Sequence, residues 1–215
     1  MRKTIFFDWD GTLVKKEVAE EASIRRGKTL GIKFSRKYMQ EAQKTHAHYI
    51  DNLDAIEKYT GIKDKRIKTE IMTNLFQLHY LAVVNEQKEN IFYKDILKVL
   101  KEIKKDNVTY VIISTIREDI IKPALELVKL NHLFEGVFGN TPDLKYSKKD
   151  LVDKAVSKFG KPYLVVGDRE DDLIAGKDVG AETAYAQWGH GFDKNKELAD
   201  YVLEKPTNLI RLIKK

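Results

Sequence analysis

Two carboxylates spaced two apart, Asp8 and Asp10, close the short apolar run Ile5-Phe6-Phe7 and are followed by Gly11, Thr12 and Leu13. Apolar residues that give way abruptly to polar ones read as a buried strand reaching its carboxyl end. Strand alternation places residues i and i+2 on one side, so Asp8 and Asp10 can face a common point while Trp9 turns away. Gly11 has no side chain, which lets the backbone turn sharply or a ligand come close. Two crowded carboxylates repel each other, and such a pair invites a hard cation, a shared proton, or both. The plainer alternative is a surface turn with solvated aspartates, but the pair sits directly on a buried-looking strand.

Other polar residues stand at the ends of similar runs. Ser114 follows Val111-Ile112-Ile113. Its hydroxyl and the nearby N–H groups could bind a phosphate oxygen, or it could simply cap the next helix. Val165-Val166-Gly167 ends in Asp168, and Asp172 lies four residues on, one turn along if a helix has begun. Acidic residues favour the first turn of a helix, which accounts for Asp171 and Asp172 better than for Asp168. Lys145, Lys148 and Lys149 precede this run. Phosphoryl transfer needs a fixed cation against the oxygens and aspartates, although a lysine here is otherwise a solvated surface residue.

The elements that must position these groups follow from periodicity. Val108–Ile113, Val137–Phe138, Tyr163–Val166, Thr183–Ala186 and Tyr201–Leu203 read as strands. Tyr93–Lys105, Glu118–Leu130, Lys149–Phe159, Asp171–Asp178 and Pro206–Ile213 read as helices, with Pro123 either in a first turn or at a kink. Strands alternating with helices predict βαβ units and a doubly wound parallel sheet, an α/β fold. Ligands in such sheets bind beyond the carboxyl ends of the strands, the edge on which Asp8, Asp10, Ser114 and Asp168 all fall.

Residues 15–90 differ in character: proline is missing and no strand pattern stands out. Val14, Val18 and Ala22 recur at helical spacing. Ser35 is a plausible N-cap for a helix through Tyr38, Met39, Ala42 and Tyr49. A helix over Asn52–Tyr59 would stop at Gly61, and Asp64 would cap one through Ile67, Ile71, Leu75, Leu78 and Ala82. The expected organisation is an α/β core from 1–14 and 91–215 interrupted by an all-helical insertion over 15–90, roughly 75 residues and within the range of a small domain.

Composition narrows the function classes. In 215 residues, 42% are hydrophobic and 33% charged, which is too apolar for disorder. No cysteine is present, so disulfides, thiolate metal sites and a cysteine nucleophile are excluded. No signal peptide precedes Asp8 and no apolar run approaches membrane-spanning length, so the expectation is a soluble cytoplasmic protein with no membrane partner. The net charge of +6 could signal an anionic partner, but lysine and glutamate are interleaved as on solvated helix faces.

Asp8-Trp9-Asp10-Gly11-Thr12 resembles the first motif of the haloacid dehalogenase-like (HAD) hydrolase superfamily, whose phosphatases carry Asp-x-Asp-Gly-Thr/Val after the first strand. Ser114 matches the second motif and Lys148, best placed of the three lysines, the third. Gly167-Asp168-Arg169-Glu170-Asp171-Asp172 matches the fourth, Gly-Asp-x-x-x-Asp. The helical insertion resembles the cap of the phosphoglycolate-phosphatase-like branch. So does the tail, with Trp188-Gly189-His190-Gly191, Ala199-Asp200-Tyr201 and Pro206 onward.

The resemblance implies a Rossmann-like core with a helical cap and a Mg²⁺-dependent hydrolase of a small-molecule phosphate ester. Asp8 would be the nucleophile that forms an aspartyl-phosphate, and Asp10 the general acid and then base. It also implies magnesium held by the Asp8 carboxylate, the Asp10 carbonyl and Asp168, with Asp172 as a further ligand or support, and phosphoryl oxygens held by Ser114 and Lys148. An aspartate at position 10 argues for phosphate chemistry over dehalogenation, since the dehalogenases lack it. Cap candidates to contact substrate are Arg25, Arg26, His46, His48, Arg66 and His79, and Trp188 and His190 could line the site. The rivals are a phosphomutase with the same motifs, a basic nucleic-acid-binding protein around Arg25-Arg26-Gly27-Lys28, and a catalytically dead binding module. Binding to nucleic acid is not expected, and four crowded carboxylates without a metal would be costly.

Overall fold

A computed structural model of the chain describes residues 3–32, 47–189 and 193–214, with the backbone alone for 47–51 and 193–194. The chain forms two compact units, Met1–Lys16 with Lys88–Lys215, and Glu17–Gln87.

The first unit is built on a six-stranded sheet in the order β3-β2-β1-β4-β5-β6. Its strands are β1 (Thr4–Phe7), β2 (Thr109–Arg117), β3 (Gly136–Asn140), β4 (Leu164–Gly167), β5 (Glu182–Ala186) and β6 (Tyr201–Leu203), and every pairing is parallel. The central strands are apolar on both faces, as a sheet covered by helices on both sides requires. On one face Phe6, Val111, Ile113 and Val165 pack with Leu151, Val152, Ala155 and Ala175. Phe7 and Tyr110 meet edge to face with ring centroids 5.5 Å apart. The chain leaves β1 toward β2 and β3 on one side and places β4, β5 and β6 on the other. The order therefore reverses between β1 and β4, and Asp8 and Asp168 directly follow those two strands. This is where an open α/β sheet forms its crevice.

The second unit is helical. The helix α1 (Lys16–Thr29) leads into it, followed by α2 (Ala47–Thr60) and α3 (Lys65–Gln87). Leu30, Leu53, Ile56 and Met72 form its core, with Ile71 and Leu75 packed against them. Gly61, at φ +72°, ends α2, and Asp64 accepts the Ile67 N–H at 2.9 Å at the start of α3, both as the sequence predicts. Of the expected helix from Ser35 through Tyr38, Met39, Ala42 and Tyr49, the part up to residue 46 lies outside the described residues, and Tyr49 belongs to α2. Val14 is not helical; it bridges Asp10 and Phe92.

The remaining helices belong to the first unit: α4 (Ile96–Lys104), α5 (Glu118–Leu127), α6 (Lys148–Phe159), α7 (Glu170–Asp178) and α8 (Asn208–Ile213). α4 begins three residues later than expected because Asp95 sits at φ 67°, outside the helical region. Pro123 lies inside α5, beyond the first turn. The expected end of β2 at Ile113 also needs correction. The regular ladder stops at Ile113↔Phe138 and resumes at Arg117↔Asn140, so four steps on β2 match two on β3. Ser114, Thr115 and Ile116 therefore form a bulge at the carboxyl edge of the strand, a usual device for redirecting side chains. Among the described residues, no helix is long and apolar enough to cross a membrane.

Candidate active site

Asp8 directly follows β1 and is buried, with its N–H donating to the Val166 carbonyl of β4 at 2.9 Å. Asp168 follows β4 and is wholly buried. Asp172 is the third residue of α7, and its carboxylate reaches back to accept the Arg169 N–H at 3.1 Å, a half capping box that fixes the side chain over the helix start. Ligand oxygens of Asp8, Asp168 and Asp172 lie within 4.8 Å of one another.

Lys148 is placed by the start of α6. Ser147 is the N-cap, its Oγ accepting the Asp150 N–H at 3.2 Å while Asp150 accepts the Ser147 N–H at 2.8 Å. The next residue, Lys148, is thereby the first of the helix and is only 6% exposed. Its Nζ donates to Asp8 Oδ1 at 2.6 Å and to the Ile113 carbonyl at 3.1 Å, and pairs with Asp172 Oδ1 at 2.6 Å. One lysine thus ties together the residue after β1, the point where the regular β2 ladder stops, and the start of α7. Lys149 instead pairs with Asp153 and Asp178, both at 3.5 Å, and Lys145 lies over the Tyr146 ring.

The electrostatics follow from burial. Desolvation pushes the Asp8 carboxyl up despite the opposing pull of Lys148, and Asp168 adds to the rise. Asp172 is pushed up to about 7 by burial, with Lys148 opposing and Asp8 and Asp171 reinforcing. Burial also works against the Lys148 charge, but Asp172 and Asp8 outweigh it and hold the ammonium protonated well above its usual range. Three carboxylates stand against one ammonium in a desolvated place, so ionising all of them at once would leave an excess of negative charge. The donor set is oxygen-only and anionic, which fits a hard divalent cation such as magnesium.

The other expected residues are placed as follows. Asp10 is half-buried and is not one of the three residues whose carboxylate oxygens lie within 4.8 Å of one another; the metal contact that the family resemblance implies for it is through its backbone carbonyl. Ser114 is buried in the β2 bulge, and its Oγ accepts the Ile116 N–H at 3.1 Å. It directly follows Ile113, whose carbonyl holds Lys148. Thr12 is buried and its Oγ1 lies 3.4 Å from Asp168 Oδ1. Asn195, which sequence reasoning passed over, is buried with its Nδ2 3.5 Å from the Asp168 carbonyl. No spacing signal marks it, because only the fold brings it to β4.

In the helical unit, Arg25 is held by Glu86 at 2.7 and 2.8 Å and by Glu21 at 2.9 Å. Arg66 pairs with Glu70 at 2.8 Å, and His79 Nε2 lies 2.8 Å from Thr29 Oγ1. Arg26 is buried with its guanidinium over the Phe76 ring, and burial pushes it down to about 10. His46 and His190 lie outside the described residues, and His48 is described in backbone alone.

The chain is similar to known proteins over nearly its whole length. The chain is 27% identical over 221 residues to a phosphoglycolate phosphatase of Aquifex aeolicus, covering 98% of this chain and 96% of the relative. It is 25% identical over 226 residues to the pyrophosphatase PpaX of Bacillus cereus, covering 98% and 95%. Among solved structures, CbbY from Rhodobacter sphaeroides in complex with phosphate has the same fold. Its TM-score is 0.73 at 17% identity, over 97% of this chain and 96% of that one. A haloacid dehalogenase-like family protein from Streptococcus pneumoniae gives 0.71 at 20% identity, over 98% of both. The model of the haloacid dehalogenase-like hydrolases matches residues 2–180. With its acidic cluster at the switch point of a parallel sheet, this chain belongs to the haloacid dehalogenase-like hydrolase family.

Proposed function

We propose that the protein is a Mg²⁺-dependent phosphomonoester hydrolase that acts on a small phosphorylated metabolite through an aspartyl-phosphate on Asp8. The observation that carries this reading is the buried cluster of Asp8, Asp168 and Asp172 around Lys148 at the β1/β4 switch point. The two curated relatives are named as a phosphoglycolate phosphatase and a pyrophosphatase, which supports the reaction class and a small substrate.

The Asp8 carboxylate would attack phosphorus as the bond to the ester oxygen breaks, and Asp10 would give its proton to that leaving oxygen. In the second half, Asp10 would take a proton from water as the water oxygen attacks phosphorus and the Asp8–phosphorus bond breaks. The phosphate is released and both aspartates are regenerated. Lys148 holds Asp8 in one orientation and supplies fixed positive charge where the phosphoryl oxygens arrive. Ser114, on its bulge, would offer a hydroxyl to one of those oxygens. Asp8, Asp168, Asp172 and the Asp10 carbonyl would hold magnesium, which when bound supplies charge neutralisation for an anionic nucleophile meeting an anionic substrate. The helical unit, Glu17–Gln87, is read as the cap that selects the leaving group.

Release of inorganic phosphate from a panel of small phosphomonoesters, with Mg²⁺ and with excess EDTA, tests the activity. Magnesium-dependent release is expected, and the ranking identifies the substrate. Asp8→Asn is expected to abolish turnover while the protein remains folded by circular dichroism. Near wild-type turnover in that variant would remove Asp8 from the mechanism.

A further inference from the structure

The turn after β5 reaches across to the residues that follow β1 and β4. Trp188 donates its indole N–H to the Thr12 carbonyl at 3.0 Å, and its ring meets Tyr93 edge-on with centroids 6.3 Å apart. Gly189 closes the turn on β5, its N–H donating to the Ala186 carbonyl at 3.1 Å. No side chain fits at this glycine. A Cβ there would stand 2.4 Å from the Asp168 Cβ and 2.4 Å from the Gly11 carbonyl oxygen. Gly11 is hemmed in from the other side: at φ +90°, a Cβ on it would stand 2.5 Å from Asp168 Oδ2. Asp168 is therefore enclosed by two glycine backbones, by the Thr12 hydroxyl at 3.4 Å and by Asn195 on its carbonyl at 3.5 Å.

A turn that merely ended β5 would need none of this. Besides the ring contact with Tyr93, the indole bond and the close approach at Gly189 are both made with residues that follow β1 and β4. We propose that the Trp188-Gly189 turn is a positioning clamp for the carboxylate site: Trp188 pins the Gly11-Thr12 turn, and Gly189 leaves Asp168 one place to stand. This rests on the reading of Asp8, Asp168 and Asp172 as the groups that hold a divalent cation. Trp188 and Gly189 touch neither the cation nor the substrate in this scheme. They act through Asp168 and Thr12, as supporting contacts act on metal ligands elsewhere, where their loss typically costs 10–100-fold in affinity.

The test is direct binding of Mn²⁺, followed by electron paramagnetic resonance and competed with Mg²⁺, on the full-length protein. Four proteins are compared below the unfolding temperature of all of them: wild type, Gly189→Ala, Trp188→Phe and Gly136→Ala. The last is a control, since a Cβ at Gly136 meets the Phe159 ring at 2.7 Å at the opposite end of the sheet. Gly189→Ala is expected to weaken Mn²⁺ by about tenfold or more. Trp188→Phe, which keeps a ring but loses the donor, should weaken it by about three- to tenfold, the weight of one hydrogen bond. Gly136→Ala should lose stability and bind as wild type does. Wild-type affinity in folded Gly189→Ala and Trp188→Phe overturns the clamp. Should the glycine variant not fold, Trp188→Phe decides alone. Failure of the wild type itself to bind either ion overturns the underlying reading of the carboxylates, an outcome distinct from failure of the clamp.

Discussion

At the scale of single residues, Lys148 is the informative one. It stands between Asp8 and Asp172, at 2.6 Å from each, and all three are buried. Removing one partner of a buried ion pair is costlier than removing the pair, because the other charge is left desolvated and uncompensated. Lys148→Met should therefore destabilise the metal-free protein by about 3–5 kcal/mol and lower turnover by at least about 10²-fold. Calorimetry in EDTA and a phosphate-release assay check the two halves. Because a divalent cation can replace the lost charge, added Mg²⁺ should recover part of the stability but little of the turnover. A melting temperature that matches wild type in EDTA would mean the carboxylates neutralise themselves without the lysine. Lys148 could be preferred over Lys145 and Lys149 from the sequence because a motif resemblance gave the position. The geometry adds the physical reason: the Lys148 ammonium reaches Asp8, the Ile113 carbonyl and Asp172, whereas Lys149 pairs with Asp153 and Asp178 and Lys145 lies over the Tyr146 ring. Asn195 was illegible because its partner, the Asp168 carbonyl, lies 27 residues away in sequence and no periodicity links them.

At the scale of elements, helix starts and strand exits do the positioning. The capping box of Ser147 and Asp150 sets where α6 begins, so Ser147→Ala should cost about 1 kcal/mol. It should also lower turnover by loosening Lys148, whereas a cap with no link to the site would lower the melting temperature alone. A second staple joins β5 to the start of β6: Asp200 Oδ2 accepts the Thr183 N–H at 2.8 Å and its hydroxyl at 2.9 Å. Burial pushes the Asp200 carboxyl up, but the Thr183 bonds outweigh it and hold the group below the usual carboxylate range. A folded-state value below the unfolded one stabilises the protein above the unfolded value, about pH 4, and that stability is lost as pH falls through the folded one. Asp200 is exposed, so solvent screens it and the loss in Asp200→Asn should be only about 1 kcal/mol, or about 2–4 °C, near neutrality. The gap from wild type should close below about pH 4. A gap independent of pH would assign the effect to packing instead of charge.

Most elements were legible because apolar periodicity and Gly or Asp punctuation agree, as at Asp64, Gly61 and Gly160. The misses occur where the backbone departs from regularity. The β2 bulge at Ser114–Ile116 and the left-handed Asp95 that delays α4 leave no mark on hydropathy.

At the scale of the whole molecule, a chain of net charge +6 concentrates three buried carboxylates at one point. They come from positions 8, 168 and 172, so the unfolded chain has no such site and a cation bound there binds the folded state alone. Mass action then stabilises the fold, by about 2.7 kcal/mol at a concentration 100 times the dissociation constant. For a chain of this size that is a rise of about 5–10 °C in melting temperature. The two units need not unfold together, and only the one carrying the sheet holds the carboxylates. The rise should thus appear in the transition that reports on the sheet, read by near-ultraviolet dichroism of Trp9, which is wholly buried in that unit. Asp168→Asn should abolish the rise by removing a ligand charge, and should itself be less destabilising in EDTA than in Mg²⁺, because losing one of three crowded negative charges relieves repulsion when no cation is present. A wild-type melting temperature that is the same in Mg²⁺ and EDTA, with the sheet transition resolved, would show that Lys148 alone satisfies the cluster and that the cation plays no part in holding it.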